Sequence, residues 1–279
     1  MEVNMSFVYN IINGLSKLTA SYKQPYPDIH MLDFRIVNSF IIGNVQMRKY
    51  DWVIVDAGID SSGRMIVRTG EKLFGTIGVP KAVILTHGHF DHIGGIEKIL
   101  SRWNVPVYAH PDEIPYLTGE KRYPEPKPDS DGLVAKLSPY FPERFIENIV
   151  PLPPDGYVPF MPEWRWIHTP GHTAGHIALY RESDGVLFAG DTFTTLKQES
   201  LFSVITKKEQ ISGPPAYLTP DWEKSRESIQ TLRDLNPKYA LPSHGKPLEG
   251  ISLLKHLDLL LINLRETAAA DQYEEQPRA

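Results

Sequence analysis

An apolar run, Ala82-Val83-Ile84-Leu85, stops at Thr86-His87-Gly88-His89-Phe90-Asp91-His92. Four apolar residues in a row read as a short buried strand. The strand therefore ends by delivering three imidazoles and one carboxylate within residues 87–92. Neutral imidazole and carboxylate are the nitrogen and oxygen ligands that zinc, iron and manganese accept. A surface loop of this composition could also bind metal adventitiously. The rest of the chain decides between the two readings.

Three later segments repeat the pattern of a strand ending in a ligand. The aromatic-rich Trp164-Arg165-Trp166-Ile167 leads into His168-Thr169-Pro170-Gly171-His172-Thr173-Ala174-Gly175-His176. Pro170-Gly171 is a turn signal that presents His172 on a tight loop. The apolar Val186-Leu187-Phe188-Ala189 stops at Gly190-Asp191, and Tyr239-Ala240-Leu241-Pro242 stops at Ser243-His244-Gly245.

In this order the segments resemble the metallo-β-lactamase superfamily, over about residues 53–244. The resemblance implies an α/β fold, a four-layer αβ/βα sandwich of two mixed β-sheets flanked by helices, with two metal ions at one edge. Carried over by position, it gives His87, His89 and His172 to the first ion. It gives Asp91, His92 and His244 to the second, with Asp191 bridging, and makes Asp91 and Asp191 the carboxylates expected in catalysis. Asp56 ends Val53-Ile54-Val55, and the resemblance makes it the support of a metal-bound histidine. The residues alone leave open a cap on the helix that begins near Ser61. His176 is expected to support the site without ligating. His110 reads as a turn residue near the site and not a ligand, His168 reads as structural, and His30 and His256 lie outside every motif.

Two ions held about 3.5–4 Å apart can share one water and bring its pKa toward neutrality. The expected activity is thus metal-dependent hydrolysis by a metal-bridging hydroxide, on an ester, thioester or lactone of a small molecule. Zinc is the expected ion, with iron or manganese as substitutes. The absence of cysteine removes a thiol nucleophile and any thiolate ligand. A net charge of −5 gives no general attraction for a polyanion, which weakens the alternative of a phosphodiesterase. An iron-dependent persulfide-oxidising enzyme is a second alternative, but its family uses one ion and three of these ligands. The glyoxalase II branch carries a longer helical C-terminal region, whereas only 35 residues follow His244 here.

Residues 1–279 read as one domain. Strands are expected at 38–46, 52–56 and 105–108, with helices at 61–74, 94–103, 221–235 and 251–266. Residues 111–162 are dense in proline and read as a cap whose Tyr116 and Tyr123 line the pocket. A second wall is expected from Phe193, Phe202 and Tyr217. Met1-Glu2-Val3-Asn4 lacks the basic start of a secretory signal, so a cytoplasmic location is expected. Neither a nucleic-acid nor a membrane signal emerges, and the expected assembly is a monomer or homodimer.

Overall fold

The computed structural model describes residues 14, 16, 19–47, 51–125, 144–195 and 211–274, with side-chain detail to residue 264. Seven strands form the first sheet: β1 (Ser21–Tyr26), β2 (Ile29–Asp33), β3 (Asn38–Ile42), β4 (Val53–Val55), β5 (Val83–Ile84), β6 (Val107–Ala109) and β7 (Ile149–Pro151), in that order. The first four pair antiparallel, and β4 through β7 pair parallel. The second sheet contains β8 (Trp164–His168), β9 (Ile177–Arg181), β10 (Val186–Gly190), β11 (Tyr239–Pro242) and β12 (Leu248–Glu249). Here β10 and β11 are parallel and the remaining pairs antiparallel. Both sheets are mixed, as expected.

Alternation along the strands builds the layers. Successive strand side chains face opposite sides. Ile41 and Ile54 turn outward onto helix α1 (Ser62–Phe74), joining Ile66, Phe74 and Trp103 in one apolar cluster. Phe40, Val53 and Val55 turn inward and meet Leu179, Val186 and Phe188 of the second sheet. Leu187 and Ala189 turn outward again, onto α5 (Trp222–Asp234) and α6 (Gly250–Glu274) through Ile229, Leu232, Leu253 and Leu257. Three apolar interfaces thus separate four layers: helices, sheet, sheet, helices. Trp52 anchors the first interface, stacked on Phe74 with centroids 4.8 Å apart and edge-on to Trp103 at 5.2 Å.

Some boundaries differ from the sequence reading. The helix expected at 94–103 is preceded by a separate turn, α2 (Phe90–Ile93), and itself spans Ile96–Arg102 as α3. The C-terminal helix expected at 251–266 spans Gly250–Glu274. Asp221 caps α5 by accepting from the Lys224 amide at 2.9 Å. Within 111–162 the described residues carry a short helix, α4 (Ile114–Leu117), and the edge strand β7. Leu152, Val158 and Met161 of that stretch pack between the sheets. No helix among the described residues is long and apolar enough to cross a membrane.

The two sheets are tied at one edge. Asn38 donates its amide to Ser243 O (2.7 Å) and its side-chain nitrogen to the carbonyls of Pro242 and Gly245 (3.0 Å each). Ile177 donates to Thr86 O at 3.0 Å. These bonds join the strand ends that carry the histidine and aspartate motifs.

Candidate metal centre

The spacing of the first motif follows from a strand that turns directly into a helix. Beyond β5, Leu85 still donates to Tyr108 O at 2.9 Å, and His87 stands just past the sheet edge. His89 has extended backbone at the N-cap of α2. One turn of helix then brings Asp91 and His92 back toward His87, whose ring centroid lies 3.9 Å from that of His92. His172 comes from the turn after β8, which is docked on α5 by Ser228 Oγ donating to Pro170 O at 2.7 Å. Asp191 directly follows β10, and His244 stands two residues beyond the end of β11.

Two groups of ligand atoms result. His87 Nε2 lies 3.1 Å from His89 Nδ1, which lies 2.9 Å from His172 Nε2. On the other side, His244 Nε2 stands 3.5 Å from Asp91 Oδ2, and His92 Nε2 stands 3.9 Å from Asp91 Oδ1. Asp191 faces both groups: Oδ2 is 3.4 Å from His172 Nε2, and Oδ1 is 3.2 Å from His244 Nε2. The trios His87, His89, His172 and Asp91, His92, His244 could each hold an ion, as could His87, His92 and Asp191.

Hydrogen-bond partners assign the tautomers, which heavy-atom positions alone do not reveal. Thr86 Oγ1 donates to Asp56 Oδ2 (2.7 Å), so it accepts from His87 Nδ1 at 3.1 Å. Thr219 Oγ1 donates to Pro215 O (2.7 Å), so it accepts from His172 Nδ1 at 3.1 Å. His92 Nδ1 donates to Asp56 Oδ2 at 2.9 Å, and His244 Nδ1 donates to Ile36 O. All four histidines therefore turn an Nε2 lone pair inward. His92 Nε2, His244 Nε2 and Asp191 Oδ1 are buried without a hydrogen-bond partner. Converging unpartnered lone pairs are costly in a protein interior and are what a cation satisfies. The residues fit a metal pair.

Electrostatics divides the site in two. Burial and the neighbouring imidazoles hold His87 and His172 well below the ordinary histidine range and push His89 down to about 3. These rings stay neutral and free to ligate. Burial also opposes charge on His92, but Asp56, Asp191 and Asp91 outweigh it and raise that ring to about 10. His244 is raised in the same way by Asp191 and Asp91. Burial pushes Asp191 up, yet His244 and His92 hold it well below the usual carboxylate range. Carboxylate charge thus gathers around the second group, where a cation would balance it.

The expected supporting residues take definite places. Asp56, at φ 57°, accepts from Thr86 N (2.8 Å), Thr86 Oγ1 and His92 Nδ1, so it fixes a ring and is no helix cap. His176 accepts from Asp191 N at Nε2 (2.9 Å) and meets Thr169 Oγ1 at Nδ1 (2.8 Å). Both its nitrogens are used, and none is left for an ion. His110 and His168 stack at 4.1 Å and 11°. With Asp112 they form a further group whose ligand atoms lie close enough to share an ion.

A cavity of about 730 Å³ opens beside His89 and His172. Tyr116 and Tyr123 line it, with their rings stacked at 4.6 Å. Phe193 does not. It is 0% exposed and packs in the cluster of Ile229 and Leu253, because its side chain turns away from the strand end into the outer helices. Tyr217 is also buried, and its neighbour Leu218 reaches the cavity instead. Phe202 lies outside the described residues. The sequence reading missed Trp222, which lines the cavity from the start of α5. It also missed Glu113, a buried carboxylate bonded to both ligand loops. Neither residue belongs to a ligand motif, so neither had a local signal.

Residues 32–244 match the metallo-beta-lactamase superfamily. The chain belongs to that family. Membership makes it an enzyme of the metallohydrolase class, as the motifs implied. It is 48% identical over 226 residues to the "Probable metallo-hydrolase YflN" of Bacillus subtilis, covering 80% of this chain and 85% of that protein. A second B. subtilis protein, "Probable metallo-hydrolase YybB", is 32% identical over 71% of this chain and 77% of its own length. Among solved structures, a metallo-β-lactamase from Cronobacter sakazakii superposes with TM-score 0.64 at 16% identity, over 91% of this chain and 99% of that one. At that identity the likeness speaks for the fold alone, and it is the sandwich expected.

Proposed function

We propose that this protein is a two-ion hydrolase acting on an ester, thioester or lactone of a small, largely uncharged molecule. His87, His89 and His172 would hold one ion; Asp91, His92 and His244 would hold the other; Asp191 would share its oxygens between them. The observation that carries this reading is the set of inward, unpartnered Nε2 and Oδ1 atoms on His92, His244 and Asp191. Two ions there would supply Lewis acidity and lower the pKa of a water, so that no thiol or serine nucleophile would be needed. The chain's own contribution is orientation. Asp56, Thr86, Thr219 and the Ile36 carbonyl each hold an Nδ1 proton and so aim an Nε2 lone pair. Zinc is the ion we favour, with iron or manganese accepted by the same donor types. A cytoplasmic location belongs to the same proposal.

The pocket supports a carbonyl substrate over a phosphodiester. Tyr116, Tyr123, Leu218 and Trp222 offer apolar and aromatic surface. Asp112, Asp221 and Glu223 add carboxylates, and Lys224 of the same lining pairs with Asp221 at 3.2 Å. Phosphate recognition calls for a basic approach, which these lining residues do not provide. The test is to strip the protein with a chelator, restore it with zinc, manganese or iron, and assay uncharged aryl esters, lactones, thioesters and a phosphodiester. Metal-restored turnover of a carbonyl substrate is expected. Turnover confined to the phosphodiester would overturn the substrate reading.

A further inference from the structure

Glu113 immediately precedes α4 and is fully buried. All the hydrogen bonds to its carboxylate come from loops around the metal centre. Oε1 accepts from the Gly88 amide at 2.9 Å and from the Tyr123 hydroxyl. Oε2 accepts from Thr173 Oγ1 at 2.8 Å and from the Gly175 amide at 2.9 Å. Gly88 lies between His87 and His89, and Thr173 follows His172. One carboxylate therefore spans the two loops that supply the three-histidine group. The loops close tightly on it. A Cβ on Gly88 would stand 2.4 Å from the Tyr123 hydroxyl oxygen, and one on Gly175 would stand 2.3 Å from Glu113 N.

We infer that Glu113 is a positioning residue for the His87, His89 and His172 ion site, holding the two ligand loops in register, and that it joins the pocket wall at Tyr123 to that site. The inference rests on the two-ion reading above. Its chemical basis is that each Glu113 oxygen faces a backbone N–H, which can only donate. A carboxylate accepts on both sides at once. A glutamine must turn its NH2 group toward one of the two amides, setting donor against donor and releasing one loop. His89, whose ring meets the Tyr123 ring edge at 4.8 Å, would loosen with it.

The experiment compares the wild-type chain with Glu113→Gln by amide exchange and by ion titration. In chelator-treated protein the Gly88 and Gly175 amides should exchange slowly, and Glu113→Gln should speed at least one of them. On titration with Zn2+ the variant should weaken one of the two ions by about 10- to 100-fold and leave the other near its wild-type affinity, the usual size of an effect on a residue that orients ligands. A purely structural role would weaken both ions alike. Folded Glu113→Gln with unchanged exchange at both amides, or with both affinities unchanged or equally weakened, would overturn the inference. If Glu113→Gln does not fold, Thr173→Val takes its place: it removes one of the four donors and should weaken the same ion by a smaller factor, and unchanged affinity would refute the clamp. A wild-type chain that takes up only one ion would count against the two-ion reading, and amide exchange would still decide whether the clamp exists.

Discussion

Asp191 is the side chain that faces both histidine groups, its two oxygens lying 3.4 and 3.2 Å from His172 and His244. Asp191→Asn keeps the shape and removes the charge. It should cost most of the metal and nearly all hydrolysis while the fold survives; near-normal turnover by this variant would refute the bridging role. His110 sets a second test, of pH. Burial and the adjacent His168 imidazole push its ring down to about 4, from an ordinary 6.5. The folded state prefers the neutral ring, so the unfolded chain takes up the proton first as pH falls. Stability should be full above about 6.5 and should decline through the interval down to about 4. In His110→Phe, which keeps a ring against His168 but cannot titrate, the drop in Tm between pH 7.5 and 5 should shrink; an equal drop would contradict the assignment. The candidate ligand groups were legible at this scale because their chemistry is concentrated in short runs after apolar strands. Glu113 was not. A lone glutamate in a proline-rich stretch gains its meaning only when Gly88 and Gly175 arrive from distant loops.

The elements explain why the pocket walls were half legible. Within a strand, alternation tells which side a residue faces; past the strand end it tells nothing. Phe193 stands two residues beyond Asp191, and its ring went into the outer helical layer rather than the cavity. Phe193→Ala should therefore destabilise the fold by about 3–5 kcal/mol, the usual cost of removing a buried phenyl ring, with KM unchanged. Tyr116→Ala should do the opposite. It trims the cavity wall and should raise KM by a binding loss of about 1–3 kcal/mol with kcat and metal content intact. Denaturant titration and steady-state kinetics on both variants separate the two roles. A raised KM in Phe193→Ala with no loss of stability would return that residue to the wall.

The whole molecule is a device for bringing strand ends from two sheets to one edge. Its layering was implied by the family resemblance that the motif order carries, and the helices at 61–74 and 221–235 were placed nearly to the residue. The first two strands of the seven-stranded sheet were not. β2 reads Ile29-His30-Met31-Leu32-Asp33 and is buried throughout, yet two polar residues interrupt its pattern. His30 is tolerated there because Tyr22 OH, at 2.8 Å, and Gly43 O, at 3.1 Å, occupy both its nitrogens. Such long-range satisfaction leaves no mark in a local window. The central claim is that this edge, with its two three-residue ligand groups and shared Asp191, holds two ions. Elemental analysis of protein purified without chelator tests it most directly. Close to two ions per chain are expected, and a consistent content below one ion per chain would contradict the account.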